Sequence, residues 1–244
     1  MQPLLKYPRA VGLQLLDFLY PLHCVLCGTK VPADSSELCA ECFETFAKNK
    51  PPFCPYCGQG QLLQPDPTLC PSCQGKPFVF DQAWSALLYE GTARDCLHHF
   101  KYRERVLLAK PLSDRLARFA ETFLPLTAFD AIIPVPLSCG REKERGYNQS
   151  LLLSQRLSPT LRLPLLKRSL TRSRETASQI SLSKERRLKN VSGAFRVGTP
   201  HLLQKKRILL VDDILTTGAT ANACASALKE AGAVSVCVLT LARG

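Results

Sequence analysis

Two sets of residues in this chain combine types and spacings that do chemistry. The first is the run Ile208-Leu-Leu-Val-Asp-Asp-Ile-Leu-Thr-Thr-Gly-Ala-Thr220. Asp212 and Asp213 offer adjacent carboxylates, and Thr216, Thr217, Gly218, Ala219 and Thr220 follow as a short hydroxylated turn. Four apolar residues ahead of the acids read as a strand buried on both faces of a parallel sheet. An Ala-rich helix from Ala219 to Ala231, stopped by Gly232, is expected after the turn. Free backbone N–H groups and a positive helix end then meet at the mouth of a sheet, which suits a phosphate. A bare phosphate has no use for the two acids. A sugar phosphate does, because carboxylates accept hydrogen bonds from ring hydroxyls. The plainer alternative is an ordinary strand, turn and helix with solvated acids at the strand end.

The second set is cysteine. Eight of twelve fall before residue 74, as the Cys-x-x-Cys pairs Cys24/Cys27, Cys39/Cys42, Cys54/Cys57 and Cys70/Cys73. Two thiolates at this spacing reach one metal from a tight turn, and two such turns complete a tetrahedral shell of four. Four pairs therefore imply two zinc ions with structural roles, since no coordination position stays open for substrate. Sequential pairing is simplest, and an interleaved arrangement has compatible spacing. Disulfides and an iron–sulfur cluster are the other chemistries open to such pairs. The segment is rich in Pro and polar residues, so metal is expected to fold it.

These sites need elements to hold them. A length of 244 residues suits one or two domains, and 45% apolar residues suits a globular protein. The spacing divides the chain into residues 1–77, a short N-terminal helix near residues 10–19 with the cysteine module, and residues 78–244. In the second part we expect a strand pair at 78–89, helices at 92–102 and 106–123, a strand at 131–136 and a loop at 137–146. A helix at 147–157, a mobile loop at 172–179 and a strand at 234–241 complete it. No apolar run approaches the length of a membrane span, and Asp17 interrupts any signal-peptide core, so a cytoplasmic protein is expected. The formal net charge is +12, and residues 141–190 hold thirteen Lys and Arg against four Glu, a local excess of +9. Such a field favours polyanions: pyrophosphate, nucleic acid or an anionic membrane face.

The 208–220 run closely resembles the signature of type I phosphoribosyltransferases, which bind phosphoribosyl pyrophosphate (PRPP). That resemblance implies that Asp212 and Asp213 hold the ribose 2′ and 3′ hydroxyls, while Thr216, Thr217, Gly218, Ala219 and Thr220 wrap the 5′-phosphate. It also implies that the loop after the first core strand grips the pyrophosphate, here with the Leu137 and Ser138 amides and with Arg141 and Arg145. Magnesium is expected to arrive with PRPP, held by the substrate's phosphates.

The wider pattern resembles the ComF family, including the relatives called GntX. It comprises Arg145-Gly-Tyr-Asn-Gln149, the Arg172, Arg174 and Gln179 segment, Arg187 and Asn190, Ala194-Phe195 and the Asp-Asp turn, all behind a cysteine ribbon. The resemblance implies an α/β fold of phosphoribosyltransferase type, a parallel sheet flanked by helices, behind a zinc ribbon. It also implies a role in natural transformation: single-stranded DNA handled on the cytoplasmic side as it leaves the uptake channel. The channel and a helicase at the inner membrane are the implied protein partners. Arg141, Arg172, Arg174, Gln179 and Arg187 are then DNA or pyrophosphate contacts. This chain departs from many members in having eight cysteines where they have one four-cysteine ribbon. It departs from hypoxanthine-type enzymes in having Thr216 where they place an Asp that serves the purine. An active transferase with an unidentified acceptor is therefore the alternative to a DNA handler, and no catalytic residue is assigned.

Overall fold

The structure is a computed structural model that describes residues 21–32, 36–61, 69–75, 77–173 and 193–244. The expected helix near 10–19, and Arg174, Gln179, Arg187 and Asn190, lie outside the described residues.

Two short strands, β1 (Leu22–His23) and β2 (Lys30–Val31), and helix α1 (Ala40–Glu44) belong to the cysteine module. The remainder contains β3 (Gln82–Leu88), α2 (Gly91–Tyr102), α3 (Ala109–Phe123), β4 (Ala131–Pro134), α4 (Cys139–Arg145) and α5 (Gln149–Leu161). After these come β5 (Leu170–Arg172), β6 (Phe195–Val197), β7 (Arg207–Leu215), α6 (Ala219–Glu230) and β8 (Ser235–Arg243). Strands β3, β8, β7 and β4 pair in that order, all parallel, as one sheet. Strands β5 and β6 form a separate antiparallel pair.

The apolar run of β7 is explained by two buried faces. Leu209 and Val211 join one core with Leu112 and Leu116 of α3 and Leu153 and Leu157 of α5. Ile208 and Leu210 join the other with Cys224 and Leu228 of α6 and Phe195 of β6. Alternate side chains of a strand point to opposite faces, so helices on both sides demand apolar residues without alternation. Cys224 is a small core residue, its thiol pushed well up by burial.

Three expectations are corrected. The strand pair at 78–89 is one strand, β3, because its partner is the distant β8 and not a hairpin neighbour. The segment 137–146 is not an open loop: Ser138 caps helix α4, its Oγ accepting from the Arg141 amide at 3.5 Å, and Gly146 ends it at φ +76°. The following helix, expected at 147–157, runs from Gln149 to Leu161 and carries Pro159 in its last turn.

The cysteine module is not a separate body on a tether. Its segment around residue 48 extends the sheet beyond β3: the Leu88 amide donates to Ala47 O at 2.8 Å and the Asn49 amide to Ala86 O at 3.1 Å. The Ala83 amide donates to Tyr56 O at 2.7 Å. Buried Asn49 ties these parts together, donating to Gly58 O at 2.7 Å and Ser85 O at 2.9 Å and accepting from the Gly60 amide at 2.8 Å. Phe53 packs edge-on against Phe119 and Phe123 of α3, and Arg115 of α3 lies 4.2 Å over the Phe43 ring. An edge strand with unpaired backbone groups is thereby covered.

Candidate functional site

The eight cysteines form two clusters with sequential pairing: Cys24, Cys27, Cys39 and Cys42, then Cys54, Cys57, Cys70 and Cys73. Within each, all sulfurs lie within 4.8 Å of one another. Cys27 and Cys39 sulfurs are 3.7 Å apart, and Cys57 and Cys70 sulfurs 3.6 Å. A tetrahedral ion with bonds of about 2.3 Å sets its sulfurs about 3.8 Å apart, so both clusters fit zinc. All eight thiols are free of disulfides. Amide donors support the thiolate form, the Cys42 amide reaching Cys39 Sγ at 3.4 Å and the Cys70 amide reaching Cys54 Sγ at 3.5 Å. The Thr29 hydroxyl and amide hold the Cys27 thiol down to about 6, whereas burial and neighbouring sulfurs push Cys42 and Cys73 up. Sulfurs in contact give up their protons one after another, and a dication relieves the repulsion that holds back the last. The second cluster is buried at all four positions, while in the first Cys27 is exposed and Cys42 half-buried.

The acidic pair faces a cleft of about 670 Å³ at the carboxyl ends of β4 and β7. Asp212 and Asp213 line it together with Leu137, Arg141, Arg145, Arg172, Thr216 and Thr220. Residues distant in sequence meet here because parallel strands deliver their carboxyl ends to one edge, the usual binding edge of an open α/β sheet. Gly218 stands in the left-handed region at φ +78° and caps α6. A β-carbon there would lie 3.3 Å from both the Phe78 and Phe80 rings, so glycine serves conformation and space at once. Within the turn the Ala219 amide meets Thr217 Oγ1 at 3.4 Å, a long contact that an anion could replace. Thr217 and Gly218 face a second, smaller cavity on the other side of the turn. Ser138 is buried as the cap of α4 and does not line the cleft.

The two acids are held differently. Asp212 Oδ1 accepts from Ser150 Oγ and from the Asp213 amide, each at 2.9 Å. Burial, and then the charge of Asp213, push its carboxyl up to about 7. Asp213 pairs with Lys101, Nζ to Oδ1 3.0 Å. Opposite them, Arg145 Nη1 donates to Gln149 Oε1 at 3.1 Å and Nη2 to the Tyr102 hydroxyl at 3.3 Å. The Arg145 guanidinium also lies 4.8 Å from the centre of the Tyr102 ring. Arg172 lies over Phe195, and burial, then the charge of Arg141, lower its pKa. Three guanidinium groups and one ammonium thus share the cleft with the carboxylates of Asp212, Asp213 and Glu144, groups chemically suited to an anion carrying neighbouring hydroxyls.

Sequence reasoning missed Lys101, Ser150, Tyr102 and Arg243. The first three come from α2 and α5 and line the cleft or bond its acids. Arg243 ends β8 and clamps the turn, its Nη1 donating to Leu215 O at 3.0 Å and Thr216 O at 2.7 Å, and also to Gly244 O. The only sequence signal for Lys101 is the basic end of its helix. Pairing that end with Asp213 requires the tertiary fold.

Residues 15–74 match the family described as double zinc ribbon domain. Over 226 residues the chain is 33% identical to DNA utilization protein YhgH of Shigella flexneri, covering 91% of this chain and 97% of that one. It is 30% identical over 228 residues to competence protein F of Haemophilus influenzae, covering 92% and 98%. Competence protein ComFC of Bacillus subtilis is 28% identical over 244 residues, covering 92% and 96%. Among solved structures, a purine phosphoribosyltransferase from Pyrococcus horikoshii is 22% identical over 54% of this chain and 73% of that one. The TM-score of that pair is 0.36.

Proposed function

Because the chain belongs to the ComF family, with competence protein F and DNA utilization protein YhgH among its relatives, we propose that it binds a PRPP-like sugar phosphate and handles single-stranded DNA during natural transformation. The observation that carries this reading is the shared cleft, lined by Asp212, Asp213, Thr216 and Thr220 together with Arg141, Arg145 and Arg172. In it the ribose hydroxyls donate to Asp212 and Asp213, with Lys101 screening the charge of the pair. The turn 216–220 takes the 5′-phosphate through backbone N–H groups at the start of α6. The three arginines, with Leu137 at the end of β4, hold the pyrophosphate, whose oxygens carry Mg²⁺. Arg174, Gln179 and Arg187 extend the same basic segment for a DNA backbone.

We also propose the division at residue 77, between the zinc module and the domain that carries the cleft. Thiolate zinc ligands suit a reducing compartment, which supports the cytoplasmic side. No described helix is long and apolar enough to cross a membrane.

Calorimetry of the zinc-loaded chain tests the reading, first with PRPP and Mg²⁺, then with a short single strand at several salt concentrations. PRPP binding lost on Asp212→Asn/Asp213→Asn replacement, and strand binding that weakens steeply with salt, are expected. Each neutralised phosphate adds about 0.7 to the slope. No heat with PRPP, or salt-independent strand binding, overturns it.

The breadth of the cleft favours a second reading, active phosphoribosyl transfer. Tyr89, His98 and Tyr102 line it beyond the acids and arginines, leaving room for an acceptor. Pyrophosphate release with a candidate acceptor would establish that activity.

A further inference from the structure

A second cavity lies across the phosphate turn from the cleft and shares Thr216 with it. It measures about 240 Å³ and lies between the second cysteine cluster and the turn. Cys57, Ser72 and Cys73 form one wall, Thr216, Thr217 and Gly218 another, and Arg243 closes the end. Phe78 and Phe80 line it as well. Their ring centres are 4.9 Å apart, and Tyr56, 37% exposed, continues the series 5.8 Å from Phe78. These rings are held in place. The Val79 amide donates to Asn222 Oδ1 of α6 at 2.8 Å, and Asp81 accepts from Lys229 Nζ and from the Val236 amide, each at 2.7 Å.

We infer that this cavity receives an unstacked base of the single strand on the ring of Phe78, with Tyr56, which packs on Phe78 outside the cavity lining, extending the platform. The inference rests on the single-strand reading of the protein and assigns that strand a base contact. Three features select a base over a phosphate. Aromatic faces offer sequence-tolerant stacking. Four thiolates around one dication keep a net negative charge, so the Cys57 and Cys73 wall accepts from base N–H groups, while the Arg243 guanidinium at the far end donates to base carbonyl oxygens, a pairing that a base edge matches and a phosphate does not. Thr216 lines both this cavity and the acidic cleft, so a strand whose sugar phosphate occupies the cleft has the cavity within reach of a neighbouring base. The basic segment 141–190 is poor in aromatic residues, and the platform supplies from the zinc module what that segment lacks.

Photo-crosslinking of the full zinc-loaded chain with a single strand carrying one 5-iododeoxyuridine tests the inference, with the joined peptide identified by mass spectrometry. Crosslinks on Tyr56 or Phe78 are expected. Anisotropy titrations with a normal strand and an abasic strand of equal length give a second readout. The unaltered protein should prefer the normal strand by about tenfold, and that preference should collapse toward unity in Phe78→Ala and shrink in Tyr56→Ala. Strand binding with crosslinks confined to other residues, Tyr102 in the cleft for instance, overturns the cavity assignment alone. So does an equal affinity for normal and abasic strands. If the unaltered chain binds neither strand, the DNA reading fails and the cavity assignment falls with it.

Discussion

Lys101 Nζ lies 3.0 Å from Asp213 Oδ1, joining the last turn of α2 to the end of β7 with both side chains largely buried. Two adjacent carboxylates in a poorly solvated cleft repel one another, and this ammonium offsets the negative charge gathered there. The pair also sets the terms for any ligand, since ribose hydroxyls must share Asp213 with Lys101.

Lys101→Met leaves a carboxylate unpaired in that setting. The loss in unfolding free energy should be about 2 kcal/mol, below the value for a fully buried pair because both groups keep some contact with solvent. Adding Asp213→Asn removes the unpaired charge, so the double variant should be more stable than the sum of single losses indicates. Denaturant unfolding of the zinc-loaded proteins measures this. Additive losses would show that the two side chains do not interact.

The raised carboxyl of Asp212 has a pH signature. Its folded value of about 7 lies above the ordinary unfolded value of about 3.9, so the native state holds the proton more tightly. The favourable contribution is complete below the unfolded value and fades as pH rises toward the folded one. Asp212→Asn lacks this dependence and keeps an oxygen for Ser150 and the Asp213 amide. The melting temperature of the variant minus that of the unaltered protein should therefore grow between pH 5.5 and 7.5, then level off. Zinc loss affects both proteins alike and cancels in the difference. A flat difference would contradict a raised Asp212. Sugar-phosphate affinity should strengthen over the same interval, since an ionised carboxylate is the better acceptor.

The two cysteine clusters should give up metal at different rates. Cys27 is exposed in the first cluster, whereas every sulfur residue of the second is buried. A chelator with a colorimetric zinc indicator should record two phases, and Cys27→Ser should remove the fast one. A single phase in the unaltered protein, with both ions released together, would refute the difference in access.

Asn49→Ala should cost about 3 kcal/mol. It strips a hydrogen-bond partner from Gly58 O, Ser85 O and the Gly60 amide, all at the junction of zinc module and sheet. The denaturant midpoint should fall with its slope unchanged. A loss under about 0.5 kcal/mol would mean that water replaces the side chain without penalty.

Much of this molecule was readable from local pattern. The buried strand at 208–211, the helix from Ala219 and the Cys-x-x-Cys turns each follow from residues within a few positions of one another. Their physics is short-range: side-chain alternation, helix capping and the reach of two thiolates from one turn. Where a reading needed partners far apart in sequence and no family resemblance supplied them, it failed or stayed open. The segment 78–89 looked like a hairpin because its pairing with β8 leaves no local trace. The zinc pairing stayed open because spacing alone allows both arrangements, and only the position of each sulfur separates them.

By itself the sequence determined the chemical groups of this protein: two acids ahead of a hydroxylated turn, eight thiols in pairs, and a basic stretch seeking anions. The tertiary structure decided which groups share a space. It brought Lys101 and Ser150 to the acids, set the second cysteine cluster against the turn, and left a cavity between them. Such meetings depend on strand order and on helices packed across a sheet, and these arise from the whole set of buried contacts rather than from any one run of residues.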